Sequence, residues 1–88
     1  MIDTRLKHIV RNFELKIAQL YPEAVVTVSY ETFEDVDAII RTYVPTGQVE
    51  ALDEISGDWT YDLILDEGYN VLIWVYDLTQ LPQLAEVT

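Results

Sequence analysis

The chain has 88 residues, 16 acids against five bases for a net charge of −11, and an apolar half. That length suits one domain, and the apolar content is too high for a disordered acidic tail. Cys is absent and His occurs once, which excludes a disulfide framework, a thiol nucleophile and thiolate or multi-histidine metal sites.

The first twenty residues read as an amphipathic helix. Leu6, Ile9, Val10, Phe13, Ile17 and Leu20 recur at spacings of three and four, so at 100° per residue they share one face. Asp3 and Thr4 are candidate N-caps. Pro22 ends the helix by disfavouring helical geometry at Tyr21. Leu15 falls on the far side.

Ala24 to Tyr30 is β-branched and reads as a strand. A short polar connection follows, and Val36 to Val44 is a second strand closed by Pro45. Val36, Ala38, Ile40, Thr42 and Val44 share one of its faces; Asp37, Ile39, Arg41 and Tyr43 share the other. Thr46 and Gly47 open a second helix reaching Glu67, with Val49, Leu52, Ile55, Trp59 and Leu63 on one side. Gly68 is its stop, and Gly57 is a candidate kink. Val71 to Leu78 is the most apolar segment. Both its faces read as buried, which places it centrally or against a partner. Residues 79–88 lack a clear period. A single domain over 1–80 with a C-terminal tail over 81–88 is expected.

The order α-β-β-α-β implies a hairpin followed by a right-handed parallel crossover. The expected fold class is α+β: two layers, a three-stranded mixed sheet with two helices on one face. The other sheet face then carries Ile39, Arg41 and Tyr43. The third strand adds either Leu72, Trp74 and Tyr76 or Val71, Ile73 and Val75. Large apolar groups on an uncovered face mark an interaction surface. Ile39, Tyr43, Trp74 and Tyr76 are its candidate residues, unless a tail bearing Leu81, Leu84 and Val87 folds over them.

Charge is segregated. The basic residues gather in the first helix, and no Lys or Arg follows Arg41. Glu54, Asp58, Asp62 and Asp66 recur every four residues along the second helix. Like charges at that spacing cost a helix about 0.2–0.5 kcal/mol per pair. An antiparallel first helix could offset them through Lys7 and Arg11. A basic partner, or an acidic surface tuned for solubility, are the other readings. Glu31, Glu34, Asp35 and Asp37 cluster near the hairpin. Oxygen ligands of this kind can hold Mg²⁺ or Ca²⁺, so Asp35 and Asp37 are candidate metal ligands, although the spacing fits an acidic turn better. His8 falls on the polar face of the first helix. Ser29 and Ser56 lack a base nearby in sequence, and a glycine-rich phosphate loop is absent.

Asp35-Val36-Asp37-Ala38-Ile39-Ile40 resembles the Asp-x-Asp strand of minimal nucleotidyltransferases. The element order and the phrase Asp66-Glu67-Gly68-Tyr69-Asn70-Val71 before the last strand are similar to that family's small core. The resemblance implies metal-held catalysis through Asp35 and Asp37, with Asp77 as a third carboxylate. The family's Gly-Ser is replaced by Val28-Ser29-Tyr30, and the loop between the first two strands is too short for its intervening helix. At most this implies a degenerate relative.

The expected function is a small, non-catalytic, cytoplasmic interaction module without a cofactor, a homodimer or bound to a protein partner. The alternatives are a degenerate metal-dependent nucleotidyltransferase-like core, and an acidic decoy for a basic, nucleic-acid-binding protein. Direct nucleic-acid binding is opposed by the charge. No apolar run approaches the ~20 residues of a membrane span, and the N-terminus lacks a signal peptide's apolar stretch.

Overall fold

A computed structural model of the chain describes residues 3–31 and 35–81. Helix α1 spans Thr4–Leu20. Asp3 is its N-cap, with Oδ1 accepting the Leu6 backbone N–H at 2.6 Å. Leu6, Ile9, Val10, Phe13 and Ile17 are buried, as their phase requires. Leu20 shares that phase but is exposed. Phase fixes a direction, not what the last turn of a helix meets. The helix closes with Tyr21 donating to the Ile17 carbonyl at 2.8 Å.

Strands β1 (Val25–Ser29), β2 (Ala38–Val44) and β3 (Val71–Asp77) form one sheet in the order β1-β2-β3. β1 and β2 are antiparallel, with Val28 opposite Ile40. β2 and β3 are parallel, with Ile40 opposite Ile73. The central strand is therefore β2, every residue of which is buried except the half-buried Arg41. β3, expected centrally or against a partner, lies at an edge of the sheet. Its apolar composition follows from parallel pairing against a buried neighbour and from helix contact on one side.

The hairpin and the crossover put both helices on one sheet face. Ala38, Ile40, Val44, Val71 and Ile73 pack there with the buried α1 residues and with Leu52 and Leu63 of the second helix. The architecture is thus two-layer α+β. The Thr42 hydroxyl sits in this layer, buried and without a hydrogen-bond partner among the described residues.

After a 3-10 turn at Thr46–Gln48, α2 runs Val49–Glu67. Gly68 ends it at φ 76°, a left-handed conformation suited to glycine. Leu52, Ser56 and Leu63 are buried, and Val49 and Trp59 are half-buried. Ile55 was expected on this face and is exposed. The arc is centred near Leu63, which leaves Ile55 roughly 80° off its middle at 100° per residue. Ser56 is tolerated inside because its hydroxyl donates to the Asp53 carbonyl at 3.1 Å.

The helix passes through Gly57 without a break. A Cβ there would meet no heavy atom within 4 Å apart from the helix's own neighbouring backbone, and φ is not positive. Gly57→Ala is therefore expected to stabilise the fold by about 1 kcal/mol. In a domain of this size that raises the melting temperature by roughly 4–8 °C, which calorimetry reads directly. A lower melting temperature would mean that the glycine is required within the chain.

Candidate functional site

The face of the sheet turned away from the helices is built by alternation. Residues 39, 41 and 43 of β2 point opposite to Ala38, Ile40, Thr42 and Val44. The register decides which residues of β3 join them: Ile39 lies opposite Leu72, Arg41 opposite Trp74 and Tyr43 opposite Tyr76. β1 contributes Ser29, Thr27 and Val25 to the same three rows. Of the two sets open from the sequence, Leu72, Trp74 and Tyr76 is the one present, and Ile39, Tyr43, Trp74 and Tyr76 share one surface. The Tyr43 and Tyr76 rings stack at 5.2 Å and 23°. The Arg41 guanidinium lies 5.1 Å from the centre of the Trp74 ring.

Accessibility differs from the expectation for two of these residues. Ile39 is 2% exposed and Tyr43 4%, so both are removed from water within the chain. A side chain on the central strand has neighbours on both sides, and Tyr43 lies against Tyr76. Leu72, Trp74 and Tyr76 are half-buried and Val25 is exposed. Solvent thus reaches this face through the two outer strands. Leu81 is half-buried, while Leu84 and Val87 lie outside the described residues, as does all of 82–88.

The two helices are antiparallel, since the start of α1 meets the end of α2. Arg5 pairs with Glu67, Nη2 to Oε1 at 2.6 Å, and its Nε donates to the same oxygen at 2.7 Å. Farther along, the Lys16 ammonium lies 4.9 Å from the Trp59 ring centre, and Trp59 stacks on Phe13 at 6.2 Å and 9°. The cations facing α2 are therefore Arg5 and Lys16. Lys7 and Arg11, expected in that role, lie on the opposite flank of the helix, since at 100° per residue they project away from Arg5 and Lys16.

Between the helices runs a groove of about 430 Å³, lined by Arg5, Phe13, Lys16, Trp59, Leu63 and Asp66 among others. Sequence reasoning missed it. Its signal was present in Trp59, which stands at the margin of the buried arc of α2.

Of the acidic row, only Asp66 borders this groove. Glu54, Asp58, Asp62 and Asp66 are all exposed. Arg5–Glu67 is the one ion pair among the described residues. The three like-charge steps of the row together oppose the helix by about 1 kcal/mol, whereas one exposed ion pair returns about 0–1 kcal/mol. Repulsion outweighs it, and salt screens both. The melting temperature is expected to rise by a few degrees between about 10 and 300 mM NaCl, as the Debye length falls from about 30 Å to well under 10 Å. A fall over that range would show attraction to be the larger effect.

Asp37 and Asp35 are engaged in structure. The Asp37 carboxylate accepts the Asn70 backbone N–H at 2.8 Å, and its own N–H donates to the Asn70 carbonyl at 2.8 Å. The Asn70 side-chain amide donates to the Asp35 carbonyl at 2.7 Å. These bonds join the entries of β2 and β3. Asp77 stands at the other end of the sheet, opposite Val44, about 23 Å from Asp37 along the strand at ~3.3 Å per residue. There it caps the turn Leu78–Gln80, accepting from the Thr79 N–H at 2.9 Å and from the Thr46 hydroxyl. The Thr46 hydrogen bond, followed by those from Thr79, holds its carboxyl below the usual carboxylate range.

Among the described residues no group of three or more His, Asp or Glu side chains could hold a metal ion. Residues 32–34, with Glu34, lie outside them. His8 is exposed. No helix of the described residues is long and apolar enough to cross a membrane. Comparison of the chain with protein-family models, with curated proteins and with solved structures yields no match.

Proposed function

We propose that the protein is a non-catalytic interaction module that self-associates through the sheet face opposite its helices. The observation that supports this is the register: it gathers Ile39, Leu72, Trp74, Tyr43, Tyr76 and Val25 on a face to which neither helix contributes packing. Apolar surface left in water forgoes about 25 cal/mol per Å². A twofold contact uses one patch on both subunits, and a specific interface takes about 800 Å² from each. Aromatic groups such as Trp74 and Tyr76 are the usual anchors of such contacts.

The test is molar mass by light scattering on a sizing column. A dimer is expected at about 100 µM, well above the ~1 µM constant of an ordinary specific contact. Tyr43→Glu is a poor probe, because Tyr43 is buried in the chain itself. Val25→Glu is a better one, since Val25 is exposed on an edge strand and shares a row with Tyr43 and Tyr76. Burying an unpaired carboxylate costs about 2–3 kcal/mol or more, and a twofold contact buries two, a loss of roughly 1000-fold or more in affinity. Val25→Glu should therefore be monomeric, with a melting temperature close to that of the wild type when both are diluted below the dimer constant, where association no longer adds stability. A monomeric wild type at that concentration would overturn the proposal.

A further inference from the structure

The outward side of α2 carries a second surface, independent of the sheet. Tyr61 and Leu65 are 63% and 66% exposed and stand one turn apart, and Ile64 beside them is exposed as well. They point opposite to Leu52 at 100° per residue. Gly57, Tyr61 and Leu65 form one row along the helix at four-residue spacing. The neighbouring row is Glu54, Asp58 and Asp62. Rows of this kind are the ridges that interdigitate when two helices pack.

Three features of this surface have no counterpart within the chain. The apolar row is turned to solvent. The acidic row beside it has no ion pair among the described residues. Gly57 occupies the middle of a helix where neither backbone conformation nor packing requires glycine. A glycine in a ridge does let a second backbone approach closely.

We propose that this face of α2 docks a basic amphipathic helix of another protein. The partner's apolar side chains, at four-residue spacing, pack along Tyr61 and Leu65 and into the notch at Gly57. Its Lys or Arg residues lie over Glu54, Asp58 and Asp62. A second copy of this chain is the wrong occupant, because a twofold contact here would set the acidic row against itself. A nucleic acid is excluded by the same charge.

The probe is a synthetic helical Leu/Lys peptide of about 18 residues, five turns long, titrated calorimetrically into the intact chain at low salt. Binding is expected, weakening as salt rises. Tyr61→Ala combined with Leu65→Ala should lower the affinity at least about tenfold, and the exposure of both residues leaves the fold intact. Asp58→Lys with Asp62→Lys should do the same and flatten the salt dependence. Gly57→Ala should weaken the peptide while raising the melting temperature, a combination that a purely structural role would not produce. Val25→Glu should leave peptide binding unchanged, which separates this surface from the sheet face. No binding at about 100 µM peptide, an affinity weaker than ordinary specific contacts, would overturn the proposal. So would equal binding of an all-lysine peptide, or binding indifferent to Tyr61 and Leu65.

Discussion

Leu52→Ala is expected to cost about 3–5 kcal/mol, the upper part of the range for truncating a buried leucine. Leu52 is 0% exposed and belongs to the cluster that joins α2 to Ile40 and Val44 of the central strand and to Val71 of β3. A site enclosed by two helices and a sheet has little room to collapse around a cavity. A chain of 88 residues has a net stability of roughly 4–13 kcal/mol at 0.05–0.15 per residue, so this one substitution removes a large share of it. Trp59→Ala is the instructive comparison. Trp59 is the larger side chain and the obvious anchor in the sequence. It is half-buried, stacked on Phe13 and beneath the Lys16 ammonium at the wall of the groove. Its truncation leaves an open trough that water fills, and about 2–3 kcal/mol is expected, below the usual cost for a fully enclosed aromatic. Denaturant midpoints of the two variants order them. A midpoint lower for Trp59→Ala than for Leu52→Ala would place the centre of the core at the groove.

Asp37→Ala is expected to cost about 2 kcal/mol, from the loss of a carboxylate acceptor for the Asn70 backbone N–H, within the ~1.5–3 kcal/mol of hydrogen bonds to charged groups. The bond spans 33 positions of sequence and ties the entries of two parallel strands. It closes the largest loop in the sheet, so its loss is felt by the crossover as a unit. Asp37→Asn should recover part of the loss, because its amide oxygen can still accept. The same variants separate this role from metal binding. A structural carboxylate gives the same midpoint shift with and without millimolar Mg²⁺. A wild type stabilised by Mg²⁺ and an Asp37→Ala indifferent to it would assign the carboxylate to a cation instead.

How much of this was legible without coordinates can be followed element by element. The phase of Leu6, Ile9, Val10, Phe13 and Ile17 located the buried side of α1, and Asp3 and Gly68 marked helix ends that the backbone adopts. Alternation along 38–44 separated the core face of β2 from the other. These readings rest on covalent geometry, on the turn of a helix and the pleat of a strand, which each segment carries with it. The hairpin and the parallel crossover then left few ways to arrange five elements.

Other features depend on where separate segments meet. The same apolar run suits an edge or a centre, and β3 became the edge because β2 received both neighbours. Leu72, Trp74 and Tyr76 join Ile39 and Tyr43 through register, which a shift of one residue would reverse. Lys7 and Arg11 read as the cations facing α2, and Arg5 and Lys16 take that place. The choice followed from the roll of α1 once its apolar stripe was seated on the sheet. Asp37 reads as part of an acidic turn or as a metal ligand, and neither reading reaches its hydrogen bond to Asn70, 33 residues away. Local geometry is written in spacing along the chain. Contacts between distant segments are selected by packing among all of them at once, and only the assembled tertiary structure resolves that choice.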